Sequence, residues 1–157
     1  MNHKSGNPMR KQVYPEVAVG AFIINRKGEL LLVTSYKWPS IYSVPGGHVE
    51  LGESIIESTR REAKEEVGLD VKVKRVLNLQ EAIYPRNFFK KRHFIFVDVL
   101  CTINGTRPKL DNDEIQGYVW IRPKEALKLK LNPYTRKGIM QIISAKKLEW
   151  FYPEKTN

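Results

Sequence analysis

A chain of 157 residues, 41% hydrophobic and 28% charged, has the make-up of one soluble globular domain rather than of a disordered or membrane chain. No apolar run approaches the roughly 20 residues that span a bilayer, and the polar start lacks the apolar core of a secretory signal. A cytoplasmic protein is therefore expected, with no membrane partner; residues 1–12 read as a flexible arm and 150–157 as a tail. The 27 Lys and Arg against 17 Asp and Glu give a net charge of +10, which favours anionic partners such as phosphates, nucleotides or nucleic acid. The single cysteine, Cys101, excludes an internal disulfide framework and, lying in an apolar run, reads as a buried structural thiol.

In chain order, residues 17–24 are aliphatic and β-prone, 25–29 carry a Lys-Gly turn, and 30–34 resume the apolar run, which predicts a β-hairpin. Residues 36–42, with Pro39 inside, read as a loop. A short extended piece follows at 42–44, and regular structure is expected to break at Pro45-Gly46-Gly47. A helix is predicted from Ser54 to Gly68: Ser54 and Glu57 have capping-box spacing, and Gly68 suits the left-handed position after the last turn. Residues 71–83, 93–103 and 117–121 read as strands and 123–127 as a short helix. A longer helix is predicted over 135–147, with Ile139, Met140, Ile142 and Ile143 on its apolar side. No repeat or linker divides the chain, so the expectation is a single α/β domain over 1–157, a mixed sheet covered by helices on both faces.

The densest chemistry lies in the segment GGHVELGESIIESTRREAKEEVGL, residues 46–69. At about 100° per residue, Glu62, Glu65 and Glu66 share one edge of the helix, beside a core-facing stripe of Ile56, Thr59, Ala63 and Val67. The ordinary reading of such acids is a solvated, salt-bridged surface. Glu57 fits it, because Arg61 lies four residues on in the favourable order, and Arg61 also has Glu65 within reach. Glu62 does not fit: four residues away in either direction it meets Ser58 and Glu66. Like charges at that spacing cost a few tenths of a kcal/mol, a repulsion that a divalent cation would turn into a binding site. Oxygen donors alone, with no Cys or His at matching spacing, point to Mg²⁺ or Mn²⁺ rather than Zn²⁺.

Gly47, Glu53, Arg61, Glu62, Ala63, Glu65, Glu66, Gly68 and Leu69 stand in the order and spacing of a known signature. The segment resembles that of the Nudix hydrolases, the MutT-like pyrophosphatases; Ala63 is the one soft position, small for an aliphatic site. The resemblance implies a Nudix-type α/β/α sandwich and attack of water on a diphosphate linkage with Mg²⁺ or Mn²⁺ as cofactor. It implies that Glu62 and Glu66 are metal ligands, with the backbone carbonyl of Gly46 completing the shell. Glu65 is implied as a further ligand or as the group that handles the proton of the water. Arg61 is implied to orient the glutamates, and Glu53 to support the site or reach a second metal. Glu114, from a later loop, is the general-base candidate, set against the reading of an exposed acid in a turn. Gly46, Gly47 and Gly52 are read as permitting a tight loop near the metal.

Selectivity is expected in the surrounding loops. Trp38, Tyr42, Tyr84, Phe88 and Phe89 are aromatics able to stack on a base. Arg86, Lys90, Lys91 and Arg92 offer positive charge to phosphates, while His93 reads as a structural histidine. Pro85, sixteen residues beyond Leu69, resembles a marker of ADP-ribose pyrophosphatases, which makes ADP-ribose the favoured small-molecule substrate. Asn132 to Thr135 precede the last helix, where MutT-like relatives place base-recognising residues. Asn132 is thus a substrate-binding candidate, and nucleoside triphosphates, oxidised ones included, are the alternative. An RNA 5′ end and a non-catalytic nucleotide-binding module are less favoured, the second because every signature glutamate is present. Homodimers are common among relatives of this kind.

Overall fold

The computed structural model describes residues 14–86, 90–105 and 107–145. The arm at 1–12, the tail at 150–157, Phe88 and Phe89 lie outside the described residues. Six strands and three helices follow one another as β1 (Glu16–Ile24), β2 (Leu30–Ser35), β3 (Gly46–His48), α1 (Ile55–Val67), β4 (Lys72–Ile83), β5 (His93–Thr102), β6 (Ile115–Ile121), α2 (Pro123–Ala126) and α3 (Pro133–Ser144). The sheet runs β4-β5-β1-β2-β6, with β3 added to β1. Among the six described strands β1 and β5 pair in parallel and the other strand pairings are antiparallel.

Alternation along the strands explains the layers, because successive side chains point to opposite faces. Val19, Ala21 and Ile23 of β1 join Leu31, Val33, Val97 and Val99 in a core closed by Ala63 and Val67 of α1. Phe22 joins Leu30, Leu32 and Leu77 in a second core closed by Ala126 of α2 and Ile139 of α3. Both faces of the sheet are therefore buried, the mixed α/β/α sandwich expected. Each fully buried Leu or Ile contributes about 1.5–3 kcal/mol of hydrophobic stabilisation.

Helix α1 has the predicted ends. The Glu57 amide donates to Ser54 Oγ at 3.2 Å and the Ser54 amide to Glu57 Oε2 at 2.8 Å, while Gly68 closes the helix at φ 66°. Its buried stripe contains Thr59, Ala63 and Val67, but Ile55 rather than Ile56 packs against the core. In α3 the expected apolar side is also displaced. Thr135, Gly138 and Ile139 are buried and Ile142 packs against the second core, whereas Met140 is 55% exposed and Ile143 36%. The cause is Gly138, which presses on Phe22: a Cβ there would lie 2.1 Å from Phe22 Cζ. That contact fixes the buried stripe at 135, 138, 139 and 142, the i, i+3, i+4, i+7 pattern.

One feature of the sheet creates the site. Strands β1 and β2 are in register only at Ile24 and Leu30, and the chain at 42–48 occupies the gap beyond. Ser43 and Val33 exchange backbone bonds of 2.8 and 2.9 Å, and the Ala21 amide donates to Pro45 O at 2.7 Å. Ala18, Val19 and Gly20 then pair with His48, Gly47 and Gly46. The expectation that regular structure breaks at the glycine pair is corrected here: Gly46 and Gly47 form β3. Their lack of side chains serves close approach rather than a turn, since a Cβ on Gly46 would sit 2.0 Å from Val19 O. Of the three glycines read as loop-formers, only Gly52 has a left-handed φ, 81°.

Candidate active site

The edge of α1 faces β3 across a pocket of about 360 Å³. Glu50, Glu62, Glu65, Glu66, Asp111 and Glu114 line it, with Arg61 the one cation among its lining residues. Two contacts hold α1 this close. The Gly46 amide donates to Glu66 Oε2 at 3.0 Å, and Gly47 leaves room for Glu62, whose Oε1 would lie 2.4 Å from any Cβ at position 47.

Arg61 organises the rest. Its Nε and Nη2 donate to the two oxygens of Glu53 at 2.8 and 3.0 Å, and Nη1 donates to Glu62 Oε1 at 2.8 Å and Glu65 Oε2 at 3.2 Å. Nη2 also reaches the His48 carbonyl at 2.9 Å, tying the guanidinium to β3. Glu62 therefore has a cation after all, from its immediate neighbour rather than from a position one turn away. A planar five-donor guanidinium can satisfy several carboxylates at once, which a lysine ammonium cannot do with the same geometry. Glu53 in turn accepts from the Glu50 amide at 3.0 Å, and its bond to Arg61 holds its carboxyl below the usual range.

Glu66 is in a different state. It accepts from the Gly46 amide, and burial pushes its carboxyl up to about 8; the amide opposes the shift, and the charges of Glu62, Glu114 and Asp111 add to it. Burial also raises Glu62, against the pull of Arg61, with Glu65 and Glu114 adding to the rise. Like-charged carboxylates in a partly dry cleft favour proton uptake or a cation. The donor set fits a hard divalent ion: all oxygen, more acids than one arginine neutralises, and a glycine cradle beside Glu62. That fit is one of donor chemistry alone: among the described residues no group of three or more acidic, histidine or cysteine side chains is arranged to hold a metal ion.

The other expected residues are distributed as follows. Glu114 lines the acidic pocket, although it is far from α1 in sequence. Asn132 caps α3, its Oδ1 accepting from the Tyr134 and Thr135 amides at 2.9 and 3.4 Å. Tyr42 packs against the second core, and its backbone bonds to Lys130 and Asn132. Arg86 is exposed just past β4, and Arg92 is ion-paired with Glu16, which also lies 3.2 Å from His48 Nε2. Lys91 lies over the Tyr84 ring at 5.8 Å, and His93 pairs with Glu81 at 2.8 Å. Cys101 is buried, its thiol pushed up to about 12 by burial.

Two acids escaped the sequence reading. Asp111 lines the acidic pocket, and its amide donates to the Glu66 carbonyl at 2.9 Å. Asp98 is 4% exposed on β5, beside a second groove of about 230 Å³ lined by Phe94, Phe96, Asn132 and Tyr134. The available signal was a charged residue at an inward position of the apolar run FIFVDVL. This groove and the acidic pocket share Gly46, Gly47 and His48 as lining.

Residues 14–142 match the NUDIX domain family. The nucleoside triphosphatase NudI of Escherichia coli (strain K12) is 28% identical over 108 residues, covering 65% of this chain and 76% of that protein. The m7GpppN-mRNA hydrolase NUDT17 of Danio rerio is 29% identical over 123 residues, 68% of this chain and 41% of that protein. A MutT protein from Methanosarcina mazei Go1 has the same fold, with a TM-score of 0.71 at 23% identity over 87% of this chain and all of that one. Helix, glycine strand and acidic pocket thus stand in a known frame: the chain belongs to the Nudix family and is a MutT-like hydrolase of phosphorus-containing acid anhydrides.

Proposed function

We propose that this chain hydrolyses the diphosphate linkage of a nucleoside triphosphate in the presence of Mg²⁺ or Mn²⁺, with the phosphates in the acidic pocket and the base in the adjoining groove. The observation that carries this reading is the shared wall: Gly46, Gly47 and His48 border both the carboxylate cluster and a groove with aromatic sides. Phe96 and Tyr134 lie 4.8 Å apart at 46°, and Phe94 stacks on Phe96 at 5.3 Å, giving flat apolar surface for a base. Similarity to a nucleoside triphosphatase supports the same class.

Glu62, Glu65 and Glu66, with the Gly46 carbonyl, would hold the ion. When bound, such an ion neutralises phosphate charge and lowers the pKa of a coordinated water. Arg61 fixes Glu53, Glu62 and Glu65 and, through its bond to the His48 carbonyl, helps hold α1 against β3. Glu114 is the better placed of the two acids to take the proton of the attacking water. Its carboxylate has no hydrogen-bond or ion-pair partner among the described residues, whereas Glu65 is held by Arg61 at 3.2 Å.

A second reading has its own observation. An outer chamber of about 460 Å³, bordered by Trp38, Pro85 and Lys130, shares Ser43, Asn132 and Tyr134 with the groove. A second moiety beyond the diphosphate, as in ADP-ribose, would fit there. The deciding experiment is a panel of nucleoside triphosphates, ADP-ribose and dinucleoside polyphosphates with Mg²⁺ or Mn²⁺, with products separated by anion exchange. Monophosphate and pyrophosphate from triphosphates at the highest kcat/KM is the expected result; exclusive cleavage of ADP-ribose would overturn it in favour of the second reading. An RNA 5′ end as true substrate would instead show activity falling steeply with added salt.

A further inference from the structure

Along β5, Phe94, Phe96, Asp98 and Leu100 share the face turned toward α3, and Asp98 interrupts an otherwise apolar row. A buried carboxylate is costly unless its charged form is hydrogen-bonded. Asp98 has half of what it needs. Its Oδ2 accepts from Gln80 Nε2 at 2.5 Å, and that same nitrogen donates to the Tyr134 carbonyl at 2.9 Å. Both amide hydrogens of Gln80 are thereby used, which fixes the orientation of its side chain and leaves its Oε1 buried without a partner.

Asp98 Oδ1 accepts no hydrogen bond among the described residues, and Asp98 borders the groove. Gly20 keeps this oxygen uncovered, since a Cβ at that position would lie 3.0 Å from it. On the other side of the groove, Asn132 has its oxygen committed to two α3 amides, so its amide hydrogens are the part left to offer a ligand. The groove therefore presents one acceptor and one donor to the edge of a flat ring lying against its aromatic surface. The charge of Asp98 is pushed toward neutrality by burial, to about 7, and an N–H donor on Oδ1 would restore it.

We infer that Asp98 is a specificity-determining residue that accepts the ring N1–H and the adjoining amino group of a guanine-type base, with the Asn132 amide facing the base carbonyl. This rests on the reading that the groove holds the base of a nucleotide substrate. Guanine presents two N–H donors side by side to a carboxylate oxygen, whereas adenine places a ring lone pair in that position. A site built around a substrate N–H rejects analogues that lack it far more strongly than an apolar pocket rejects a missing methylene, because its buried polar group is left unpaired.

The test compares GTP, ATP and N1-methyl-GTP on the wild-type protein with Mg²⁺, and repeats GTP and ATP on Asp98→Asn. The expected result is a kcat/KM for GTP at least about 100-fold above the other two, with Asp98→Asn bringing GTP and ATP within about tenfold of each other, mainly through KM for GTP. Equal hydrolysis of GTP and N1-methyl-GTP by the wild type overturns the assignment, even if the variant fails to fold. An unchanged GTP to ATP ratio in a folded Asp98→Asn overturns it as well. Absence of hydrolysis of every nucleotide would instead remove the reading of the reaction, and this inference with it.

Discussion

Two adjacent glycines should fail in different ways when each gains one methyl group. In Gly47→Ala the new carbon lies 2.4 Å from Glu62 Oε1 and 2.6 Å from its Cδ. The obstacle is the end of a side chain, so Glu62 can rotate away, giving up its 2.8 Å bond to Arg61. A hydrogen bond to a charged group contributes about 1.5–3 kcal/mol. Arg61 keeps its two bonds to Glu53 and is partly exposed, so the loss should be nearer about 1 kcal/mol, or about 2–4 °C in Tm for a chain of this size. Turnover should fall about 10–100-fold, as when a group orienting a metal site is disturbed. In Gly46→Ala the obstacle is backbone: Val19 O at 2.0 Å cannot swing aside without parting β3 from β1. That variant should lose about 3 kcal/mol or more, about 6–12 °C in Tm. Circular-dichroism melts and a pyrophosphate-release assay on both variants provide the comparison. Wild-type turnover in Gly47→Ala, or an unshifted melt in Gly46→Ala, would refute the account of β3.

Two further outcomes follow from the acids. The folded-state carboxyl of Glu66, about 8, lies above its ordinary value of 4.5, and that of Asp98, about 7, above 3.8. The folded protein therefore holds extra protons across these windows, so in chelator its stability should be greatest below about pH 4 to 5 as far as these groups are concerned, and fall as pH rises through 7 to 8. Glu66→Gln, which cannot ionise, should flatten the upper part of that decline and lower turnover at least about 100-fold; a metal-free wild-type Tm that does not fall between pH 5 and 8 would contradict the burial argument. For the proton acceptor, Glu114→Gln should cost about 10²–10⁴-fold in kcat, and Glu65→Gln less than Glu114→Gln once metal is saturating. The reverse ranking, read from kcat at saturating metal, would transfer the role to Glu65.

Much of this was legible because local chemistry decides it. Ser54, Glu57 and Gly68 mark both ends of α1 through capping and left-handed geometry, and those rules act within a few residues. Glu62, Glu65 and Glu66 could be placed on one edge from helical period alone. What could not be read depended on partners distant in sequence. The strand formed by Gly46 and Gly47 exists only because β1 and β2 part and leave backbone groups to pair. The buried side of α3 turns on Phe22, more than a hundred residues earlier, and not on the count of isoleucines. Tyr42 and Asp98 show the same difficulty from opposite sides: an aromatic in a loop packs into a core, and an acid in a strand borders a groove.

The charge distribution gives these local details a common purpose. A net charge of +10 draws polyanions toward the molecule as a whole, and Lys130 stands at the outer chamber, next to the groove. The pocket at the end of that route has the opposite sign, six acids lining it with one arginine. Without a cation, then, the far field would attract a nucleotide that the near field repels, and the groove proposed for the base would have to retain it alone. With a divalent ion held by Glu62 and Glu66, as proposed, both fields would act in the same direction at the phosphates. Under the proposed reaction, metal dependence would belong to substrate retention as much as to the chemical step, because the carboxylates that would hold the ion repel phosphate in its absence.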